Sequence, residues 1–252
     1  MMALRTLVRA GRLLGVVAGG LAVAAWLACR PHTGVARRQR WTQWFLGSLA
    51  RALPLTIQVH GRCAPGPALW VGNHVSWVDI AVLGSLAPLS FLSKADVRGW
   101  PIAGWLAHQA GTLFIRRGAG DGMRTNQQLA ERLRAGHSLV IFPEGTTTDG
   151  QQLRTFHPRL LACAIDTGTP VQPVAIRYRR DGAPDPLAPF IGDDDLLSHL
   201  RRLLAADRAI VEVHLLPPIR STGLDRGTLA AQAHAAVATV LFGVIATQRD
   251  AA

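Results

Sequence analysis

From about residue 55 the chain alternates short apolar runs with longer stretches whose apolar positions recur every three or four residues. The runs "LTIQVHG", "ALWVGN", "LSFLSK", "TLFIR", "LVIFPEG", "VQPVAIRY" and "AIVEVHLL" are rich in β-branched and aromatic residues and read as strands. Between them, "MRTNQQLAERLRAG" and "HPRLLACAIDTG" have helical spacing, and each closes on a glycine suited to stopping a helix. This alternation predicts an α/β sandwich built around one sheet. The loop-rich exception is "RDGAPDPLAPFIGDDD", where proline and glycine break any regular element. Its triple aspartate, Asp193 to Asp195, looks like a metal site. Acidic residues directly ahead of "LLSHLRRLL" are better read as capping a helix and complementing its dipole. The alanine-rich tail, Thr228 to Gln248, predicts one helix packed on the domain.

The amino-terminal part has a different pattern. Between Arg12 and Arg30 lies "LLGVVAGGLAVAAWLAC", a charge-free stretch flanked by Arg5, Arg9 and Arg12 before it and by Arg30, Arg37, Arg38 and Arg40 after it. As a helix it reaches roughly 25 Å, slightly short of a hydrocarbon core of about 30 Å. The segment therefore either spans the bilayer or lies in its interface. A secretory signal peptide, with "LAC" as a lipoprotein cleavage site, is the competing reading, although Trp26 is bulky for that site. The denser arginine group follows the segment, which favours a main domain on the cytoplasmic side of the inner membrane. Trp41, Trp44 and Phe45 suit either the headgroup layer or the core. The chain thus divides into residues 1–45, a membrane-anchoring segment with its basic and aromatic linker, and residues 46–252, the main domain.

Composition narrows the partners. Hydrophobic residues make up 49% and charged residues 17%, which excludes a disordered polyelectrolyte. A formal charge of +11 suits an anionic partner, either nucleic acid or an anionic lipid surface. No nucleic-acid-binding motif is recognisable, and the basic residues are not interleaved with stacking aromatics, so a nucleic-acid partner is not expected. Cys29, Cys63 and Cys163 form neither a disulfide framework nor a zinc pattern.

Three motifs carry candidate chemistry. His74 follows the strand "ALWVGN" and stands five residues ahead of Asp79. On an ideal helix that spacing separates side chains by about 140°, so contact requires a non-helical turn with Asp79 in the first turn of the helix that follows. A carboxylate accepting the Nδ1 proton would fix the tautomer and leave Nε2 to take a proton from a hydroxyl. No G-x-S-x-G occurs and no cysteine is placed as a nucleophile, which leaves direct attack by a substrate hydroxyl. Two common residues at one spacing recur by chance, so the pair gains weight only from its companions. The first companion is "LVIFPEGTTTDG", an apolar strand that breaks at Pro143 and presents Glu144, Gly145, Thr146 and Thr147, groups able to meet an anion or form a plain polar turn. The second is "GTLFIRR", which delivers Arg116 and Arg117 at a strand end, suited to a phosphate or to a solvated edge. His108, His137, His157, His199 and His214 lack such partners and read as surface or structural.

The ordered set "NHVSWVD", "GTLFIRR", "FPEGTTTDG" and "VQPVAI" resembles the four motif blocks of the glycerolipid acyltransferase family, which includes bacterial 1-acylglycerol-3-phosphate acyltransferases. The spacer "FLSKADVRGWPIAGWLA" is similar as well, and the likeness covers roughly positions 55 to 220. The resemblance implies a single mixed sheet flanked by helices, with His74 as general base and Asp79 as its orienting partner. It also implies that Arg116 or Arg117, with Glu144, Gly145, Thr146 and Thr147, surrounds the acceptor's phosphate, and that Val171, Pro173 and Ile176 shape the acyl-donor side. The implied donor is acyl-CoA or acyl carrier protein, used as co-substrate, with no cofactor and no metal. Lysophosphatidate is the first expected acceptor. One departure bears on it: many such enzymes carry arginine where this chain has Thr147, and the "EGTTTDG" form resembles members that use lyso-ornithine lipid or zwitterionic lysophospholipids. A hydrolase binding metal through His74, Asp79 and Glu144, and a noncatalytic lipid-binding membrane protein, are the alternatives outside this class.

Overall fold

In the computed structural model, residues 2–30, 32–115 and 122–243 are described. All seven expected strands are present: β1 (Leu55–Gly61), β2 (Leu69–Gly72), β3 (Ser90–Lys94), β4 (Leu113–Ile115), β5 (Leu139–Ile141), β6 (Val171–Arg180) and β8 (Ala209–Leu215). A two-residue strand, β7 (Ala183–Pro184), pairs with the end of β6 inside the proline-rich stretch, where no strand was expected. It is too short for any periodicity to register.

The sheet runs β1-β8-β6-β2-β5-β3-β4 and is mixed. β6, β2, β5, β3 and β4 are mutually parallel, whereas β8 pairs antiparallel with β6 and carries β1 parallel to itself. The parallel strands are covered on both faces, which is why "LWVG" and "LVI" are continuous apolar runs rather than alternating ones. One face packs on α1 (Met2–Ala28), α2 (Val35–Ala52), α3 (Val78–Leu86) and α7 (Leu196–Ala205) through Leu13, Leu46, Val82, Leu83 and Leu203. The other packs on α5 (Gly122–Arg134), α6 (Ala162–Thr167) and α8 (Arg226–Phe242) through Leu129, Leu133, Ala164, Leu229 and Val237. A short helix, α4 (Ala103–Gln109), contacts α1. Apart from Asp79 and Ser85, the helix α3 is apolar around its circumference, because both the sheet and α2 cover it. Burying a side chain such as Leu83 there contributes about 1.5–3 kcal/mol.

Local signals behave as expected. Asp195 accepts the N–H groups of Leu197 and Ser198 and so caps α7. Gly168 ends α6 in the left-handed conformation. "HPRLLACAIDTG" folds as a 3-10 turn over Pro158–Leu161, with proline in its first turn, followed by α6. The tail helix ends at Phe242; residues 244–252 lie outside the described residues.

The amino-terminal helix is longer than the charge-free stretch. α1 runs through Arg5, Arg9 and Arg12 for 27 residues, about 40 Å. Its basic flank stays helical because arginine is a good helix former, and it docks on α7: Arg5 donates to Asp207 at 2.6 Å, and Arg9 donates to the carbonyls of Leu204 and Ala206. The α1–α2 contact requires glycine at position 20, where a Cβ would lie 2.3 Å from the Phe45 ring. Phe45 accordingly packs against the core while Trp41 and Trp44 stay exposed, dividing a cluster the sequence left undecided. The division after residue 45 falls inside α2, a continuous helix whose Leu46 and Ala50 are buried.

Candidate active site

The chain leaves the sheet at the end of β2 with its backbone held on both sides. Asn73 donates its amide to the carbonyl of Ile176 at 2.9 Å and accepts the Ile176 N–H at 2.8 Å, extending the pairing with β6 by one side chain. Residues 74–77 then turn, and α3 begins at Val78 with Asp79 in its first turn. The carboxylate reaches back across this turn. Asp79 Oδ2 accepts the N–H of Val75 at 2.8 Å and of Ser76 at 3.1 Å and meets His74 Nδ1 at 2.8 Å. Its other oxygen, Oδ1, accepts the Tyr178 hydroxyl at 2.5 Å.

Asp79 is completely buried, whereas the His74 side chain is 18% exposed, so the imidazole has the only route from this pair to solvent. An ionised carboxylate makes His74 Nδ1 the donor and leaves Nε2 with a lone pair. The ring of Phe142 stacks on the imidazole with centroids 3.9 Å apart and planes 7° off parallel, which fixes its orientation from one side.

Glu144 sits behind the histidine. One of its oxygens accepts the His74 N–H at 2.7 Å and the other accepts the Arg154 N–H at 2.9 Å. Burial pushes its carboxyl above the ordinary range, while these two N–H groups and the nearby imidazole pull the other way. Gly145, at φ 74°, makes the left-handed turn that starts the threonine run. Thr148 N–H donates to the His74 carbonyl at 2.8 Å, and the Thr147 hydroxyl donates to the Phe190 carbonyl at 2.5 Å. Phe190 N–H donates in turn to the Val75 carbonyl at 2.9 Å. The third motif and the "PFIG" loop therefore hold the His74 turn by its main chain.

His74, Asp79, Glu144, Gly145, Thr146 and Thr147 thus belong to one neighbourhood. Glu144 reaches it through backbone N–H groups, one on each carboxylate oxygen. That engagement also disfavours a metal shared by His74, Asp79 and Glu144. Arg116 and Arg117 lie outside the described residues. Val171 and Ile176 are in β6 but are buried on opposite faces of the sheet, and Pro173 is buried between them. Alternation along a strand separates residues five apart, so these three do not share a surface.

Sequence reasoning missed the roles of Tyr178, Phe142 and Phe190 and the pairing of the partly buried Trp77 with His199, a histidine it read as surface or structural and which is buried. Trp77 Nε1 donates to His199 Nδ1 at 3.0 Å, and His199 Nε2 faces the carbonyls of Ala188 and Pro189 at 3.2 and 3.1 Å. Only Tyr178 left a trace in the sequence: it follows Val174 and Ile176 at the two-residue period of one strand face.

An oriented histidine at a strand end of a mixed sheet suits proton abstraction from a hydroxyl, and comparison with known proteins supplies the class, an acyltransferase. A family model described as Acyltransferase matches residues 56–177. The chain is 60% identical over 247 residues to a lyso-ornithine lipid O-acyltransferase of Pseudomonas aeruginosa, covering 96% of each chain. It is 34% identical over 171 residues to a 1-acyl-sn-glycerol-3-phosphate acyltransferase of Neisseria gonorrhoeae, covering 66% of each. The crystal structure of the 1-acyl-sn-glycerophosphate acyltransferase PlsC from Thermotoga maritima matches with a TM-score of 0.70 at 19% identity, over 99% of this chain and 100% of that one, a likeness of fold. The chain belongs to the glycerolipid acyltransferase family and is a lysolipid acyltransferase. Among the described residues, Ala3–Ala28 is the one stretch of helix long and apolar enough to cross a bilayer, in keeping with membrane association.

Proposed function

We propose that this protein is a lyso-ornithine lipid O-acyltransferase. The observation that carries this reading is the 60% identity over nearly the whole chain to a protein of that activity, against 34% over two thirds of the chain for a lysophosphatidate enzyme. The sequence motifs put lysophosphatidate first; the relatives support the alternative acceptor instead. The geometry fits that change. At the position where many phosphate-binding relatives carry arginine, Thr147 is neutral and its hydroxyl tethers the Phe190 loop. A headgroup bearing an ammonium and a carboxylate needs no such clamp.

In the proposed mechanism, His74 Nε2 removes the proton from the lysolipid hydroxyl as that oxygen attacks the thioester carbonyl of acyl-CoA or acyl carrier protein. Asp79 holds the imidazole and stabilises the imidazolium that forms. The tetrahedral intermediate collapses by breaking its carbon–sulfur bond, and the proton passes from His74 to the departing thiolate. No cofactor or metal takes part. Lipid enters from the membrane to which α1 and the exposed Trp41 and Trp44 attach the protein; the assignment to the inner membrane with the domain facing the cytoplasm is part of the proposal.

The test is acylation by membranes carrying wild type or His74→Ala, with labelled acyl-CoA and acyl carrier protein thioester in parallel. Lyso-ornithine lipid, lysophosphatidate and lysophosphatidylethanolamine serve as acceptors. His74-dependent acylation chiefly of lyso-ornithine lipid supports the proposal. Equal or better turnover of lysophosphatidate returns the assignment to the phosphatidate-forming reaction.

A further inference from the structure

We propose that Tyr178 is a positioning residue for acyl transfer, its hydroxyl setting how strongly Asp79 orients and charges His74. The inference rests on His74 acting as the base. Its ground is the division of labour on one buried carboxylate. Asp79 Oδ2 is saturated by two backbone N–H groups and the imidazole, whereas Oδ1 has Tyr178 as its one hydrogen-bond partner among the described residues. At 2.5 Å the phenol–carboxylate contact is short, as expected when the acceptor is ionised.

Tyr178 is fixed from the opposite side of the site. It lies in β6, the strand whose Ile176 main chain also holds Asn73. One strand therefore grips the His74 turn at both ends: at Asn73 through that residue's side-chain amide and at Asp79 by the phenol. The ring packs within the core on the α3 side of the sheet, so the hydroxyl has a set position rather than a range of rotamers. Burial and the Asp79 charge drive the phenol strongly toward its protonated form, so it donates at every working pH.

A phenol donating to Oδ1 withdraws charge from the carboxylate. Without it the carboxylate interacts more strongly with the imidazolium, raising the pH at which His74 loses its proton, while the orientation of the dyad loosens. Other charged or titratable groups face this site from each neighbouring element. They are Glu144 beyond β5, Asp185 beyond β7 in its ion pair with Arg180, and His199 of α7 behind Trp77. None of them bonds the phenol oxygen, and a change confined to that oxygen leaves them in place.

Tyr178 is the single tyrosine of the chain, which allows a two-sided test. Tyr178→Phe removes the donor, and biosynthetic replacement of tyrosine by 3-fluorotyrosine makes the same donor more acidic at this one site. The pH dependence of kcat/KM is measured for both beside wild type and His74→Ala, with lyso-ornithine lipid and lysophosphatidate as acceptors. Tyr178→Phe is expected to lower kcat about tenfold or more, as for loss of one charge-assisted hydrogen bond. Its acid limb should move up by roughly half a pH unit or more, and that of the fluorinated protein should move down. Opposite displacements support the proposal. Limbs that coincide with wild type, or move together, overturn it while His74→Ala remains inactive, leaving the base assignment intact. Activity in His74→Ala overturns both. If Tyr178→Phe does not fold, the fluorinated protein decides alone: a lowered limb supports the proposal and an unmoved one overturns it.

Discussion

The carboxylate of Glu144 accepts the backbone N–H of His74 at 2.7 Å, joining two motifs that stand 70 residues apart. The contact is to the main chain, not to the imidazole. Glu144 thereby sets where the histidine begins its turn while taking no proton from it.

Replacing Glu144 with Gln therefore tests a scaffold role. An amide has one acceptor oxygen, so either the His74 or the Arg154 N–H loses its partner inside the fold. Leaving a buried donor unpaired costs about 1–3 kcal/mol. The expected outcome is a lower thermal midpoint with a reduced kcat and an acceptor KM close to wild type. A raised acceptor KM with unchanged stability would instead identify Glu144 as a headgroup ligand.

His74→Ala should reduce kcat by about 10²- to 10⁴-fold, the range for a general base. Asp79→Asn should cost roughly 10³- to 10⁴-fold, because the amide no longer holds the imidazole with Nδ1 protonated. Membrane attachment through α1 should be unaffected in both. Single-turnover assays on membranes read the first quantity and flotation reads the second; an active Asp79→Asn protein would contradict the dyad.

Thr147→Arg places a guanidinium beside the His74 turn and removes the tether to Phe190. The ratio of kcat/KM for lysophosphatidate over lyso-ornithine lipid should rise by about tenfold or more, since a charge-assisted contact to phosphate then becomes available. A fall in both values with an unchanged ratio would show that position 147 acts on loop structure alone.

Stability should decline in mild acid because of His199. Burial, aided by Arg202, holds this imidazole below its ordinary pKa, and Trp77 donates to the nitrogen that would have to take up the proton. The unfolded chain gains that proton as pH falls through about 6.5 while the folded protein does not. Stability is thus full above that point and declines below it by up to about 1.4 kcal/mol per pH unit. His137 and His214, also lowered by burial, act in the same direction. Glu144, raised by burial, opposes them only between its unfolded and folded pKa values. Thermal unfolding of wild type and His199→Gln between pH 7.5 and 5.5 checks this. The variant should lose one proton's worth of slope, and identical slopes would exclude His199.

Much of this protein is a consequence of its sequence taken alone. The seven principal strands, the capped helix after Asp195, the glycine stop at Gly168 and the His74–Asp79 pairing all depend on neighbours within a few residues, where periodicity and capping chemistry act directly. The long α1 was only partly legible, because the charge-free stretch ends at Arg12, whereas arginine continues a helix readily and Arg5 and Arg9 dock on Asp207 and the end of α7, about 200 positions away. Tertiary structure decided the rest for the same reason. Tyr178 reaches Asp79, Glu144 holds His74 by its N–H, and Trp77 meets His199 only after parallel strands bring distant segments together. Likewise, Val171 and Ile176 are separated by the sheet itself, which gives successive side chains of one strand to opposite cores.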